Sequence, residues 1–379
     1  MRSETLGFCV FLFGSVTAIA CGCVTRATSG VAGGSSPALD SGWTDDPPAT
    51  CDAPLPDDVQ IPALDLQGYP PYAGDGCTLV YVAGSGTSAG DLRSRDLKTG
   101  AESILAPASE SPRRPSIAGS VIAWEAKSGA RSVVRVRVNG ATTTLSGDFD
   151  HAGEPRATSD AVVFTGWHGE GELSDTDVFL YDVSTTAAEI VLGGAGQQRF
   201  PDVSRGIVGA ADFSEDPDGT FDRNETDLAD LVIYDRNSGA VTHRTRPGKQ
   251  AFPIVVSPTR IAYLDWGEVH PEPKLTQYAL RIGDITGTAL GDITVSLVKN
   301  AGPYVLPAGR NGVLEWIDAS DGTATLWRVP ADLTRSPALV PGLGGLDLFA
   351  PASTASFTVL GTRSLNVAGG AIILRGVAR

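Results

Sequence analysis

The sequence has little positive charge and no cluster of it. Among 379 residues, 29 Lys and Arg are outnumbered by 44 Asp and Glu, so the net charge is −15 at pH 7. A surface this acidic repels the phosphate backbone of nucleic acids and the headgroups of anionic lipids. No run of Lys and Arg provides a local exception. We therefore expect no nucleic-acid partner.

Most short motifs that identify a chemistry are also missing. The sequence has no candidate Cys nucleophile and no Gly-rich loop that opens a helix to bind phosphate. It has no Cys-x-x-Cys pair and no His close to a Cys, which argues against a cysteine-based metal site.

Long apolar segments are scarce too. The chain contains 45 Gly and 25 Pro, which favour turns over long helices. The apolar run at residues 6–20 is short for a spanning helix, which needs about 20 residues. Arg2 precedes this run, and the letters AIAC, ending at Cys21, complete it. The pattern predicts a signal peptide at residues 1–20.

This N-terminus resembles the signal of a bacterial lipoprotein, in which cleavage occurs before a Cys that then carries lipid. The resemblance implies lipidation of Cys21, although Ala18 stands where the family usually has Leu, and Cys23 is a second candidate. An ordinarily cleaved secreted protein is the alternative. Residues 21–54 are mostly small and polar, which predicts a flexible tether before a folded domain at 55–379.

The remaining cysteines fit an oxidising compartment. Cys51 and Cys77, with 25 residues between them, are the pair left for a disulfide once the signal and its cleavage site are set aside. Such a loop would stabilise the fold by roughly 3 kcal/mol. Two free thiols are the alternative.

From about residue 55 the sequence repeats a pattern of a Pro, a turn and an apolar run. The apolar run is followed by a strand-like segment, best seen in DLVIYDRNSG at 230–239, and by a further short strand. Four strands per 40–54 residues is the period of a β-propeller blade. The repeated prolines, at steps of 44, 40, 46, 52, 54 and 44 residues, are Pro71, Pro115, Pro155, Pro201, Pro253, Pro307 and Pro351.

We therefore predict an all-β fold, a β-propeller of four-stranded antiparallel blades. Seven prolines predict seven blades, with six as the alternative if one Pro is accidental. Each Pro is placed at the start of the innermost strand A, where a missing N–H is tolerated. The last repeat, 351–379, is one strand short, and residues 58–68 are expected to supply its outermost strand and close the ring.

The repeat resembles that of TolB-type propellers, in which a Pro-x-hydrophobic-Ser turn, an apolar strand and a strand ending in Tyr-x-Asp or Tyr-Asp recur. The best match is QQRFPDVSRGIVGAADF at 197–213 with DLVIYDRNSGAV at 230–241. The likeness covers about 71–360 and departs at the turn, where Ser-Pro-Asp-Gly is absent. It implies a periplasmic or cell-surface protein that binds another envelope protein.

In such a ring, the B–C and D–A connections share one face. The sequence makes three B–C connections long, in repeats three, four and five, and long loops on a rigid scaffold often carry binding. Solvated acidic loops without a function are the alternative. Trp124, Trp266 and Trp316 fall at or just beyond the end of strand B, where they either stack sugars or pack between blades. The residues predicted to form the binding face are His151, Trp167, His168, Glu170, Trp266, Glu268 and His270.

The loop at 214–230 also contains a candidate calcium site. Its oxygen-bearing residues have the spacing of a hard-cation loop, but Phe221 stands where an EF-hand needs Gly. The alternatives are a looser calcium site and a solvated turn. The candidate ligands are Asp216, Asp218, Thr220, Asp222, Asn224 and Asp227.

Together these patterns predict a monomeric, lipid-anchored, extracytoplasmic propeller that binds an envelope protein or a glycan and has no certain cofactor. The rival prediction is a propeller hydrolase or lyase that acts on a glycan with a metal and the His and acidic residues of the same face.

Overall fold

The computed structural model describes most of the predicted propeller region. The described residues are 51–53, 57–62, 69–85, 88–169, 175–216, 219, 228–267, 278–287, 289–298, 306–319, 323–354, 357–364 and 372–378. The chain divides into the units Met1–Ser41 and Gly42–Arg379, and every described residue belongs to the second. The predicted signal peptide, most of the tether, Cys21 and Cys23 lie outside the described residues.

The described chain is almost entirely β-structure, with two short 3-10 turns at Ala108–Glu110 and Ala289–Gly291. The strands in chain order are β1 Gln60–Ile61, β2 Tyr72–Asp75, β3 Thr78–Ser85, β4 Ser88–Asp96, β5 Glu102–Ala106, β6 Arg113–Ala118, β7 Val121–Ser128, β8 Arg131–Val138, β9 Ala141–Thr144, β10 His151–Ala157, β11 Ala161–Trp167, β12 Thr176–Asp182, β13 Ala187–Leu192, β14 Gln198–Ser204, β15 Ile207–Asp212, β16 Asp230–Asp235, β17 Ala240–Arg244, β18 Gln250–Ser257, β19 Arg260–Asp265, β20 Tyr278–Asp284, β21 Ile293–Val298, β22 Ala308–Arg310, β23 Val313–Asp318, β24 Thr325–Pro330, β25 Ala338–Leu339, β26 Leu346–Leu348, β27 Ala352–Ser353, β28 Phe357–Ser364 and β29 Ile372–Ala378.

These strands form seven antiparallel sheets. Blades I to VI are β2–β5, β6–β9, β10–β13, β14–β17, β18–β21 and β22–β25, each hydrogen bonded in chain order from the innermost strand A to the outermost strand D. In blade VII, β26 and β27 both pair with β28, which pairs with β29. The prediction of a seven-bladed propeller is confirmed, and the six-bladed alternative is wrong.

The ring closes by an exchange between its two ends. Strand β1 lies before blade I in the sequence but pairs with β29 of blade VII, Gln60 opposite Ile373 and Ile61 opposite Ile372. The Leu374 N–H donates to the carbonyl of Val59 at 2.8 Å, which extends the pairing by one residue. The prediction that residues 58–68 supply the outer strand is therefore confirmed for Gln60–Ile61.

The repeated prolines are not at the start of strand A in every blade. Pro115, Pro155, Pro201 and Pro253 lie inside β6, β10, β14 and β18, each within a shift of the pairing register with strand B. A bulge tolerates Pro because the bulged residues leave the hydrogen-bond ladder. The prediction of Pro at the first strand position is corrected for these four blades.

The residue before each of these four prolines has a left-handed backbone. Its φ is between +51° and +57° at Arg114, Glu154, Phe200 and Phe252. Four side chains of different chemistry share this conformation, so the bulge is set by the position in the ring.

The Asp that ends strand C has a structural reason to recur. Its side chain accepts hydrogen bonds from the backbone N–H groups of the C–D turn: Asp96 from Lys98 at 2.8 Å, and Asp182 from Ser184 at 2.7 Å. Asp235 does the same for Asn237 at 2.9 Å. Asp is favoured in turns for this reason, so this part of the repeat is architectural.

Strands B and C form the core because each blade packs between two others. All seven residues of β11 are buried. Strand D is the exposed rim, where Ile104, Ile190 and Val241 each remain about half exposed.

Candidate functional site

The two faces of the ring differ in the length of their connections. The A–B turns contain two or three residues in every blade. On the other face, which we call the loop face, the B–C connections of blades III, IV and V span 168–175, 213–229 and 266–277. The C–D connections share the face of the A–B turns and reach eight residues in blade V, 285–292, as many as 168–175. The two longest B–C connections, in blades IV and V, therefore distinguish the loop face.

A cavity of about 120 Å³ lies in the central channel. Its wall is built from the innermost strands of the blades, and proline rings form much of it. The polar and charged residues of this wall are Tyr69, Tyr72, Ser116, Arg156, Asp202, Arg310 and Ser353.

At the loop-face end of the channel, Tyr69 forms part of the wall. It precedes β2 of blade I, and the guanidinium carbon of Arg156, from blade III, lies 3.9 Å from the centre of its ring. The guanidinium of Arg114 lies on the same ring at 5.6 Å. Cations favour the face of an aromatic ring, so these contacts fix the position of the Tyr69 ring.

At the other end, Arg310 of blade VI crosses the channel. Its Nη1 donates to the carbonyl of Ile117 and its Nη2 to the carbonyl of Ala157, both at 2.8 Å. Because these carbonyls belong to blades II and III, one side chain ties three blades together.

Beside the loop-face end of the channel lies a buried network of charges. Arg199 Nη2 donates to Glu154 Oε1 at 2.7 Å, and Thr165 Oγ1 and the Phe200 N–H donate to Glu154 Oε2 at 2.9 and 3.0 Å. Burial alone would raise the pKa of Glu154, but Arg199 and Arg114 outweigh it and hold this pKa below its usual value. Glu154 is therefore ionised at neutral pH and locks blade III to blade IV.

Asp202 lies inside the channel, and its carboxylate has different partners from that of Glu154. Its Oδ2 accepts the Val255 N–H at 2.8 Å, but the nearest atom of Arg156 is 3.9 Å from Oδ1. Burial raises the pKa of Asp202, and Arg156 offsets this only in part. The charge of this carboxylate is thus poorly compensated.

Three of the residues predicted for the binding face are at the loop-face end of blade III. His151 stacks on Trp167, with ring centres 5.4 Å apart, and its Nδ1 accepts the Ser132 N–H at 3.2 Å. His168 is exposed, with Nδ1 3.3 Å from Asp150 Oδ2. The hydrogen bond from His168 lowers the pKa of Asp150. The structure thus brings His151 and Trp167 together and leaves His168 beside an acid.

The tryptophans near the ends of strand B are buried. Trp124, Trp167, Trp266 and Trp316 are at most 8% exposed. Trp266, for example, lies 5.8 Å from the ring of Tyr278 and 6.2 Å from that of Phe252. Because these tryptophans are buried, packing between blades is favoured over the alternative that their rings are open platforms for sugars.

The other predicted site residues are mostly beyond what the structure describes. Of the six candidate calcium ligands only Asp216 is described. It is buried, and its Oδ1 accepts the Leu228 N–H at 2.7 Å across the base of the loop. The predicted residues outside the described ranges are Glu170, Asp218, Thr220, Asp222, Asn224, Asp227, Glu268 and His270.

Cys51 and Cys77 form a disulfide with Cα atoms 4.9 Å apart. Within the described residues, no group of three or more His, Cys, Asp or Glu side chains is placed to hold a metal ion. Also within those residues, no helix has the length and apolar character needed to cross a bilayer.

Sequence reasoning missed the channel residues Tyr69, Arg156, Asp202 and Arg310. The sequence contained one signal that could have found part of the channel wall. Ser116, Arg156 and Asp202 each directly follow a repeated Pro, and all three line the channel. Arg310 carries no such signal, because it lies three residues after Pro307.

No protein-family model matches this sequence, and no curated protein is significantly similar to it. Solved β-propeller structures do match the fold. The β-propeller domain of the Trilobed protease from Pyrococcus furiosus aligns with a TM-score of 0.57 and 10% identity, over 81% of this chain and 91% of that chain. The tricorn protease aligns with a TM-score of 0.51 and 10% identity, over 85% of this chain and 35% of that chain.

TolB from Acinetobacter baumannii is also similar, with a TM-score of 0.43 and 12% identity, over 66% of this chain and 59% of that chain. At such identities these likenesses show the propeller fold alone. This chain spans 59% of the TolB chain and about a third of the tricorn protease. The Trilobed protease propeller is described as having an open velcro topology, whereas β1 pairs with β29 in this chain.

Proposed function

We propose that this protein is an extracytoplasmic, non-enzymatic binding scaffold whose loop face recognises a protein of the cell envelope. A signal peptide at 1–20, lipidation at Cys21 and a tether at 21–54 would hold the propeller domain, 55–379, at a membrane. The supports for this location are the apolar run, the AIAC sequence and the disulfide, which suits an oxidising compartment.

The observation that carries the proposal is the asymmetry of the two faces. Every A–B turn is short, whereas three adjacent blades place long B–C connections on the loop face. A closed ring holds the strand ends that carry these loops at fixed positions on one face. Architecture alone does not need this asymmetry, since the B–C connection of blade II contains two residues.

Charge suggests the chemistry of the partner. The loop at 214–230 carries seven carboxylates and one Arg, Arg223, so its net charge is −6. Complementary charge steers association and selects partners. We therefore expect a partner with a basic patch, and an affinity that falls as the salt concentration rises.

The test uses the full-length protein, solubilised in a mild detergent, to capture partners from envelope extract of the source cells. The retained protein is identified, and its dissociation constant is measured against wild type and two variants. D218N/D222N removes two charges from the acidic loop, and the control E189Q/D284N removes two charges from the rim and the opposite face. We expect weaker, less salt-sensitive binding for the loop variant only. The proposal is rejected if wild type and both variants bind the partner with equal affinity, or if no envelope protein is retained.

Calcium would give the acidic loop a defined shape. Asp216, the one candidate ligand among the described residues, accepts the Leu228 N–H and so joins the two ends of the loop. We expect calcium to raise the melting temperature of the EDTA-treated protein, because a cation removes the repulsion among the carboxylates. D222N should abolish this rise and E189Q should retain it. An identical melting temperature with EDTA and with calcium contradicts the prediction.

A further inference from the structure

The central channel contains a guanidinium whose hydrogen bonds are not used. Arg156 lies against the ring of Tyr69 and 3.9 Å from Asp202 Oδ1, which is beyond hydrogen-bond distance. Among the described residues it donates no hydrogen bond. The side chain is 23% exposed, so its five N–H donors are partly removed from solvent.

The neighbouring arginines differ from Arg156 in this respect. Arg199 donates to Glu154, Arg114 to Glu125, and Arg310 to two carbonyls. Those three side chains tie blades together or fill a buried charge network. Arg156 makes ring and ion-pair contacts with Tyr69 and Asp202 but, among the described residues, no hydrogen bond of this kind, and it lines the cavity.

The charge of the wall favours an anion. Two cations, Arg156 and Arg310, are accompanied by one carboxylate, Asp202, and the rest of the wall is neutral. The channel is therefore positive inside a chain whose net charge is −15. One negative charge would neutralise the surplus, whereas a dianion would be repelled by Asp202.

The size and closure of the cavity limit the ligand. Its volume of about 120 Å³ is roughly ten times the minimum that one water molecule needs. Arg310 crosses one end of the channel, so a threaded chain would have to displace its side chain. Ile254 and Leu306 give part of the wall an apolar surface.

We propose that the central channel binds a small, free monocarboxylate. Its two oxygens accept N–H groups of Arg156 in the paired geometry that a guanidinium offers to a carboxylate. Its short apolar part lies against Ile254 and Leu306. This site is separate from the loop-face surface proposed above, and either can exist without the other.

The experiment measures binding of acetate, propionate and butyrate to the full-length protein by calorimetry and thermal shift. Acetamide and propionamide, which have the same shapes without the charge, are the matched ligands. We expect saturable binding of the carboxylates and none of the amides. Equal binding of acid and amide, or no binding of any acid, overturns the proposal.

Two variants are expected to change the affinity for propionate in opposite directions. The proposal can therefore be tested even if one of them does not fold. R156Q should weaken propionate binding at least tenfold. D202N keeps an acceptor for the Val255 N–H but removes the repulsive charge, so it should tighten binding about threefold or more. The control R375Q alters an exposed Arg on β29 and should bind as wild type does. Wild-type affinity in both R156Q and D202N rejects the site.

Two further ligands test whether the site is specific for a small monocarboxylate. Phosphate, largely a dianion at pH 8, should bind more weakly than propionate; equal or tighter binding contradicts the assignment to a monoanion. A tripeptide with a free carboxyl end should bind no more tightly than acetate. Tighter binding of the peptide overturns the assignment to a small free acid and makes a chain end the ligand.

Discussion

At the scale of single residues, two buried acids of the inner ring show how contacts decide the role of a charge. Glu154 receives three hydrogen bonds, including one from Arg199, and its pKa is lowered. Asp202 accepts backbone hydrogen bonds from Val255 and Val203, has Arg156 at 3.9 Å, and its pKa is raised by burial. The first carboxylate is therefore a structural anion, and the second remains able to respond to a ligand beside it.

Glu154→Gln should lower the free energy of unfolding at pH 7 by roughly 3–5 kcal/mol, because the substitution breaks a buried ion pair between Glu154 and Arg199. A folded pKa below the unfolded value stabilises the wild type above about pH 4.3, and this stabilisation is lost as pH falls through the folded pKa. The difference between the two proteins should therefore narrow in acid. Denaturant-induced unfolding of both proteins, at several pH values from 7 to 3, measures this difference in stability.

The exposed Glu189 provides the control, since Glu189→Gln should change the free energy of unfolding by no more than about 0.5 kcal/mol. Equal stabilities of wild type and Glu154→Gln at pH 7 would show that the network around Arg199 does not need the charge.

At the scale of elements, strand order could be predicted because the apolar runs and turn signals recur with a fixed period. The bulge in strand A could not. It needs a left-handed residue before the Pro, and Arg114, Glu154, Phe200 and Phe252 have no local preference for that backbone. Packing of the inner strands around the axis imposes it, and a single sequence does not record that constraint.

Two-residue turns between strands A and B offer a test of backbone strain alone. Asn311 and Gly312 connect β22 to β23 with φ of +53° and +74°, and a Cβ on Gly312 would meet nothing within 4 Å. Gly312→Ala should therefore lower the free energy of unfolding by about 1–2 kcal/mol through the left-handed backbone only.

Gly291 is the matched position, because a Cβ there also meets nothing within 4 Å and its φ is not left-handed. Gly291→Ala should leave the stability unchanged or raise it by up to about 1 kcal/mol. Equal effects of the two substitutions on the denaturation midpoint would rule out strain as the cause.

At the scale of the whole molecule, the sequence placed the loop face correctly because alternation along an antiparallel blade decides which connections share a side. It did not place the channel site. Tyr69, Arg156, Asp202 and Arg310 come from four blades, and only the closed ring brings them together. Their side chains carry no motif, and the position that faces the axis depends on the bulge, which the sequence did not reveal.

Closure of the ring depends on a strand of two residues, so we expect the disulfide to carry much of its stability. Cys51 precedes β1, and its bond to Cys77 fixes that segment to blade I, while Gln60 and Ile61 pair with blade VII. Val59 and Ile61 are buried, and Arg95 Nη1 lies 2.9 Å from Asp58 Oδ1. Without the disulfide, β1 must find its partner from an open chain.

C51S/C77S should lower the free energy of unfolding by roughly 3 kcal/mol, the loop-entropy value for a bridge of this length. Hydrogen exchange should become faster at the Leu374 amide, which donates to Val59, and should remain slow at amides within β11. Reducing agent should reproduce both effects in the wild type and add nothing to the variant. If Leu374 exchanges at the same rate with and without the disulfide, β1 holds the ring closed by its own pairing and burial.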